Sequence, residues 1–196
     1  MPEKGGHHTH GTAPTQVLRD EHEVILRVLA ALEVQLDRIS GGAPPDAEAL
    51  RDTLEFLRGF ADKCHHGKEE DLLFPALEVA GLPREGGPVG VMMEEHVQGR
   101  EYIRGMDEGV LGLAGDPARS RTRVLDNGWA YIQMLRAHIH KENEILFPLA
   151  ERVLGADVLH GLTHRFEDVE VAMGPGTHEH YLALAAKLEA KAGLRG

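Results

Sequence analysis

Apolar residues recur at three- and four-residue steps along four long stretches of the chain, which is the spacing of helices that bury one face. The first stretch predicts a helix over about residues 15–39, whose inward positions are Leu18, His22, Ile25, Leu29, Leu32 and Leu36. Glycines and prolines over residues 41–45 end this helix, because glycine favours a helix terminus and proline cannot continue the helix.

Three further stretches repeat this spacing. The second helix is predicted to begin near Asp46, an N-cap residue, and its inward positions are Leu54, Leu57, Ala61, His65, Glu69 and Leu72. The third follows a loop at residues 81–88, with inward positions Val89, Met92, His96, Gly99, Ile103 and Met106. The fourth covers about residues 118–154, with inward positions Tyr131, Leu135, His138, Glu142, Ile145 and Leu149. Pro75 and Pro148 are expected to end or kink the second and fourth helices.

No stretch alternates apolar and polar residues with a period of two, so the pattern predicts an all-α chain without a sheet. Short loops between four long helices indicate an up-down-up-down four-helix bundle over residues 15–154. The composition of residues 1–14 predicts a disordered arm, which contains several histidines. Residues 155–196 predict a short helical extension, with one helix over about 157–173 and another, capped by Thr177, over 178–191.

Composition narrows the class of protein. The formal net charge is −11 and no basic patch stands out, which argues against nucleic-acid binding. No run of roughly 20 apolar residues predicts a membrane span, and the polar N-terminus shows no secretory signal. The single cysteine, Cys64, fits a reducing compartment, so we expect a cytoplasmic protein with an inert, partly buried thiol.

Polar residues interrupt each inward stripe where a core residue is expected. Two of them, Glu69 and Glu142, follow His65 and His138 by four residues, so each pair shares one helix face. Burying carboxylates costs several kcal/mol unless a charge compensates them, and a pair of metal ions supplies that charge. Imidazole and carboxylate suit iron, manganese or zinc. The predicted ligands are His22, His65, Glu69, His96, His138 and Glu142.

An internal repeat selects among neighbouring candidates. Residues 65–75 align without a gap on residues 138–148, and both segments carry His, Lys and Glu before Leu-Phe-Pro. Among the candidate ligands, those that match in both copies are His65, Glu69, His138 and Glu142. Their neighbours His66, His140, Glu70 and Glu144 stand opposite residues of another type, so the alignment favours them less.

These motifs resemble the hemerythrin-like, or HHE cation-binding, family. The resemblance rests on Asp-Glu-His at residues 20–22, Glu-Glu-His at residues 94–96 and the two His-x-x-x-Glu motifs before Leu-Phe-Pro. It covers about residues 15–154 and implies a four-helix bundle around two iron ions. It further implies that Glu69 and Glu142 bridge the ions, with an oxo or hydroxo bridge, while the four histidines bind terminally. The implied partners are O2, NO or peroxide.

The chain departs from the oxygen-carrying members of that family. Those proteins place a second histidine four residues after the third-helix histidine, where this chain has Arg100. Their last carboxylate is an aspartate five residues after the histidine, whereas Glu142 follows His138 by four. One position is therefore expected to be open, filled by water, or approached by Glu101, Tyr131 or His178, as a ligand or as a hydrogen-bonding partner.

Several functions are compatible with this pattern. The leading interpretation is a di-iron protein that binds or reduces O2, NO or peroxide for sensing, detoxification or slow redox turnover. Alternatives are an iron- or oxygen-responsive regulatory module, and iron storage or donation to damaged iron centres. A purely structural bundle is the remaining alternative. The redox or protein partner cannot be predicted from these residues.

Overall fold

Helices form the regular structure of residues 13–194, the part of the chain that the computed structural model describes, and no strand occurs within it. We label them α1 (Pro14–Ser40), α2 (47–79), α3 (Pro88–Gly112), α4 (117–153), α5 (Ala156–Ala172) and α6 (Thr177–Ala192). The all-α class and helical bundle are confirmed. The predicted disordered arm, with His7, His8 and His10, lies outside the described residues except at its last two positions.

The helix ends follow local chemistry. Asp46 caps α2, because its Oδ1 accepts hydrogen bonds from the backbone N–H groups of Glu48 and Ala49. Pro14 opens α1, where its missing N–H costs nothing. The predicted cap at Thr177 is wrong. Gly176, at a φ of 79°, precedes the first helical residue, and the Thr177 hydroxyl donates to the carbonyl of Met173.

Helices α2 and α4 contain wide π-helical turns, which include the candidate ligands His65, Glu69 and Glu142. In α2 these are Leu57–His66 and Glu69–Leu73, between the α-helical parts Ala47–Phe56 and Phe74–Val79. In α4 the π segment is Glu142–Leu146, between Pro117–Lys141 and Phe147–Val153. The N–H groups of Phe74 and Phe147 bond to carbonyls five residues earlier.

The wide turns lie directly before the two prolines. A proline ring normally clashes with the carbonyl four residues earlier and leaves that carbonyl without a donor. A π turn changes the hydrogen-bond register at this point and makes room for the ring. Of the two predicted outcomes, an end or a kink, the end is not observed. The helices continue past Pro75 and Pro148 to Val79 and Val153.

A layer of buried polar side chains separates two apolar clusters. The larger cluster includes Ile25, Leu29 and Leu135, and the smaller includes Leu18 and Phe147. The layer between them contains the buried histidines and glutamates of α1–α4. The candidate ligands therefore lie inside the bundle and are screened from water at both ends.

Close packing of α3 against α4 depends on glycine. A Cβ at Gly109 would lie 2.7 Å from Cγ2 of Val124 and 3.0 Å from the carbonyl oxygen of Ser120. Such a contact is sterically excluded, so glycine lets the two helices approach and fixes their relative position.

The C-terminal helices extend the same core. In α6, Leu184, Ala185 and Leu188 belong to the larger apolar cluster. Helix α5 contributes Leu162 and Phe166 to the smaller one. The extension therefore covers α1 and α2 on the outside of the bundle.

None of the helices between residues 13 and 194 is long and apolar enough to cross a bilayer.

Candidate metal centre

Two groups of buried side chains offer ligand atoms for metal ions. In each group the ligand atoms lie within 4.8 Å of one another, and Glu69 belongs to both. The first group is His22, His65, Glu69 and Glu142. The second group is His66, Glu69, His96 and His138. Each of these side chains is at most 5% exposed, so the groups form one centre closed to bulk water.

The two glutamates lie between the histidines of the two groups. Oε1 of Glu69 is 3.6 Å from Nε2 of His65, and its Oε2 is 3.5 Å from Nε2 of His96. Oε2 of Glu142 lies 3.2 Å from Nε2 of His22 and 3.2 Å from Nε2 of His138. Each carboxylate therefore faces both halves of the centre, as a bridging ligand must.

Several donor atoms in the centre have no hydrogen-bond partner. These atoms are both carboxylate oxygens of Glu69 and of Glu142, and Nε2 of His22 and His66. A buried polar atom left without a partner costs roughly 1–3 kcal/mol, and a buried charge costs more. Cations that accept these oxygen and nitrogen lone pairs would remove the cost, so the donor set fits a metal site.

Each of the four predicted histidine ligands is oriented by an acceptor on a neighbouring helix. The Nδ1 atoms of His65 and His138 lie 2.9 Å from Glu21 and Glu95, respectively. Nδ1 of His96 lies 2.7 Å from Glu70. Carboxylate oxygens only accept, so these contacts keep the proton on Nδ1 and leave Nε2 free for a metal ion.

The fourth contact closes these acceptors into a ring around the bundle. Nδ1 of His22 on α1 lies 2.9 Å from Oδ1 of Asn143 on α4. Helix α1 thus orients a histidine of α2, α2 one of α3, α3 one of α4, and α4 one of α1. We call Glu21, Glu70, Glu95 and Asn143 the outer ring. Every member is adjacent in sequence to a predicted ligand. The same helix turn therefore provides a predicted ligand and orients a histidine of the next helix.

Cationic side chains hold the carboxylates of the outer ring. Nζ of Lys68 is fully buried and lies 2.6 Å from Glu21 and 2.6 Å from Glu170 on α5. Its counterpart in the repeat, Lys141, pairs with Glu95. Burial opposes ionisation of Glu21, but the hydrogen bond from His65 and the charge of Lys68 lower its pKa to about 2. The pKa values of Glu70 and Glu95 are also lowered, so the three carboxylates of the outer ring stay anionic at neutral pH.

In the metal-free protein, the side chains of the centre influence one another's pKa values, so some of them hold protons at neutral pH. Burial and the charge of Glu142 raise the pKa of Glu69 well above its usual range. Burial opposes protonation of His138, but the charge of Glu142 raises its pKa to about 9. Burial and the charge of His22 lower the pKa of His65 to about 4. A metal ion would displace the protons of Glu69 and His138.

All six predicted ligands meet in this centre, together with His66, which the repeat had not favoured. Of the three further candidates, Glu101 and His178 lie outside both groups. Glu101 is exposed, and His178 lies beside the ring of Phe60. The hydroxyl of Tyr131 is buried without a partner.

The outer ring was not predicted, although the sequence carries a signal for it. Glutamate precedes the histidine in both Glu21-His22 and Glu95-His96. The same pattern in two helices indicates a shared task. Cys64 is 4% exposed, and burial raises the pKa of its thiol to about 12, as expected of an inert cysteine.

Comparison with known proteins gives a family match over most of the chain. The model of the hemerythrin HHE cation binding domain matches residues 13–150. The uncharacterized protein Rv1995 of Mycobacterium tuberculosis is 28% identical over 159 residues, which cover 81% of this chain and 61% of that protein.

Relatives with a named function are also found. The iron-sulfur cluster repair protein YtfE of Dickeya chrysanthemi is 31% identical over 137 residues, or 68% of this chain and 61% of that protein. YtfE of Yersinia pseudotuberculosis serotype IB is 31% identical over the same length. The chain thus spans about three fifths of the length of these relatives. No solved structure gives a significant match.

Proposed function

Because the chain belongs to the hemerythrin HHE cation-binding family, we propose that it holds two iron ions in the buried centre and binds or reduces O2, NO or peroxide there. Glu69 and Glu142 would bridge the ions. His22 and His65 would bind one ion, and His96 and His138 the other. The choice of iron over zinc or manganese rests on the family, because this donor set alone suits all three metals.

The observation that carries this proposal is the set of buried, unpartnered donors. Both oxygens of Glu69 and Oε2 of Glu142 face histidine nitrogens, and none of the four carboxylate oxygens accepts a hydrogen bond. A structural core would have no reason to retain two such carboxylates, because apolar residues of similar size would be more stable.

The protein's own residues do three things in this proposal. The outer ring keeps each Nδ1 protonated, which turns the metal-binding Nε2 inward. The apolar clusters on both sides keep water away from the centre. Iron, when bound, supplies the one-electron changes that O2, NO or peroxide require. A small ligand needs no large cleft. A cytoplasmic location remains part of the proposal.

The test is the absorbance of ferrous-loaded protein, prepared without oxygen and then mixed separately with O2, NO and hydrogen peroxide. The proposal predicts a new absorbance band with at least one of the three. Protein loaded with zinc, which does not change oxidation state, is the control and should give no band. Ferrous-loaded protein that stays unchanged with all three reagents would exclude this function.

Iron donation to damaged iron centres is a second candidate, favoured by the similarity to iron-sulfur cluster repair proteins. It predicts that iron-loaded protein restores an iron-sulfur enzyme inactivated by peroxide and loses iron in the same reaction. The control is an equal amount of ferrous salt with a ferrous chelator present. Restoration no faster than in the control would reject donation without affecting the first candidate.

A further inference from the structure

His66 is buried in the centre with one ring nitrogen unpaired. It is 5% exposed, and its Nε2 has no hydrogen-bond partner. A ligand atom of His66 lies with those of Glu69, His96 and His138 inside one group of 4.8 Å. Its ring stacks on that of His96, with centroids 3.8 Å apart and planes 16° apart. The two imidazoles therefore lie face to face in the same half of the centre.

His66 is also oriented like the predicted ligands. Its Nδ1 lies 3.3 Å from Oδ1 of Asp62, one helix turn earlier on α2. A carboxylate at Nδ1 fixes the proton there and leaves Nε2 as the free, metal-binding nitrogen. All five buried histidines of the centre thus have a side-chain oxygen within 3.3 Å of Nδ1, although that of His66 comes from its own helix.

Arg100 on α3 ties the partner of His66 to the outer ring. Its Nε lies 2.8 Å from Oδ1 of Asp62, and its Nη2 lies 2.6 Å from Oε1 of Glu70. Asp62 orients His66, and Glu70 orients His96. One guanidinium therefore holds the acceptors of both stacked rings, which fixes the two imidazoles relative to each other.

We propose that His66 is a seventh protein ligand, which adds a third imidazole to the half of the centre that contains His96 and His138. This inference rests on the proposed metal function and adds a ligand to it. The other half, with His22 and His65, keeps two imidazoles. The two metal positions are therefore chemically unequal, and the metal beside His66 is the more strongly held by nitrogen.

The alternative is that His66 only packs against His96. Phenylalanine distinguishes the two roles, because it keeps a flat ring of similar size and the stacking but offers no nitrogen. If His66 only packs, His66→Phe leaves metal binding unchanged and removes an unsatisfied buried nitrogen. If His66 is a ligand, the same substitution weakens one of the two metal positions.

The experiment compares His66→Phe with His140→Phe, which changes an exposed histidine of α4 in the same way. Both variants and the unaltered protein are loaded with ferrous iron without oxygen and titrated with a chelator. If His66 is a ligand, about half of the iron in His66→Phe should be removed at a chelator concentration roughly 10-fold or more below the one that the unaltered protein requires. The other half of the iron in His66→Phe should be removed at the same chelator concentration as the iron of the His140→Phe variant and of the unaltered protein. Mössbauer spectra should change in His66→Phe only.

A second variant distinguishes the loss of a ligand from misfolding of His66→Phe. His66→Ala opens a space for one ring, and imidazole added to the solution should restore the lost iron affinity, whereas toluene of similar size should not. Equal affinities and spectra in His66→Phe and unaltered protein would overturn the ligand role while leaving the di-iron proposal intact. Unaltered protein that binds no iron would overturn both.

Discussion

The carboxylate of Glu21 on α1 accepts a hydrogen bond of 2.9 Å from Nδ1 of His65 on α2. Glu95 on α3 stands in the same relation to His138 on α4, also at 2.9 Å. Because each of these glutamates directly precedes a predicted ligand of its own helix, each helix positions two ligands at once. A shift of one helix along its neighbour would therefore disturb both halves of the centre.

We predict that Glu95→Gln weakens iron binding roughly 10- to 100-fold, the usual effect of removing a carboxylate that orients a metal-binding histidine. The amide lacks the negative charge that keeps His138 basic and that pairs with Lys141. Chelator competition measures the affinity. Glu94→Gln is the matched control, because Glu94 is the exposed neighbour with the same charge. Equal affinities of the two variants would show that Glu95 does not serve the metal.

Glu69→Gln should act in opposite directions with and without metal. In the metal-free protein, it removes a carboxyl group whose pKa is raised by burial and by the charge of Glu142, so the melting temperature should be unchanged or higher. Ferrous iron should raise the melting temperature of the unaltered protein by mass action and do so far less for the variant.

The control for this prediction is Glu144→Gln, which neutralises an exposed glutamate of α4. It should keep the full stabilisation by iron. If Glu69→Gln gains as much melting temperature from iron as the control, Glu69 is not a metal ligand.

Lys68→Met should destabilise the metal-free protein far more than Lys141→Met, although the two lysines are equivalent in the repeat. Lys68 is fully buried between Glu21 and Glu170, and its loss leaves Glu21 buried without its cation. Breaking such a buried pair costs about 3–5 kcal/mol. The side chain of Lys141 is 32% exposed, so its pair contributes about 1 kcal/mol or less.

Urea denaturation measures both free energies of unfolding. Similar losses in the two variants would mean that α5 does not bury Lys68 in solution, because the contact with Glu170 is the one that Lys141 lacks.

Gly109→Ala should lower the free energy of unfolding by about 1–3 kcal/mol, because the added methyl group would clash with Val124 and with the backbone of Ser120. Gly161→Ala, in α5, meets nothing within 4 Å and should instead stabilise by about 0.5–1 kcal/mol through helix propensity. The two variants compared by urea denaturation test the packing of α3 on α4. A neutral Gly109→Ala would contradict that packing.

The bundle and the interior position of the six predicted ligands could be derived from sequence because helical periodicity assigns each residue to a face. His22 or Glu69 stands out when it falls on an apolar stripe. The same logic passed over His66. Successive residues of a helix point about 100° apart, so a single stripe admits one of two adjacent histidines. The centre has two groups side by side, and His65 joins one while His66 joins the other.

Other features depend on contacts between distant segments. Lys68 lies on a polar stretch of α2 and becomes buried because α5, about a hundred residues later, supplies Glu170 and Phe166 beside it. The periodicity of apolar residues in α2 does not indicate that Lys68 is buried. The π turns before Pro75 and Pro148 likewise arise from how a continued helix accommodates a proline, whereas the sequence rule only marks a break.

The decisive measurement for a di-iron centre is the iron content of protein purified without a metal-binding tag and with His7, His8 and His10 changed to alanine. These substitutions remove the N-terminal histidines as a source of stray metal. After anaerobic loading with ferrous iron and desalting, we expect about two iron ions per chain, and little iron in a His65→Ala/His138→Ala variant that remains helical. If the folded chain with all six predicted ligands intact retains no iron, it does not form a di-iron centre.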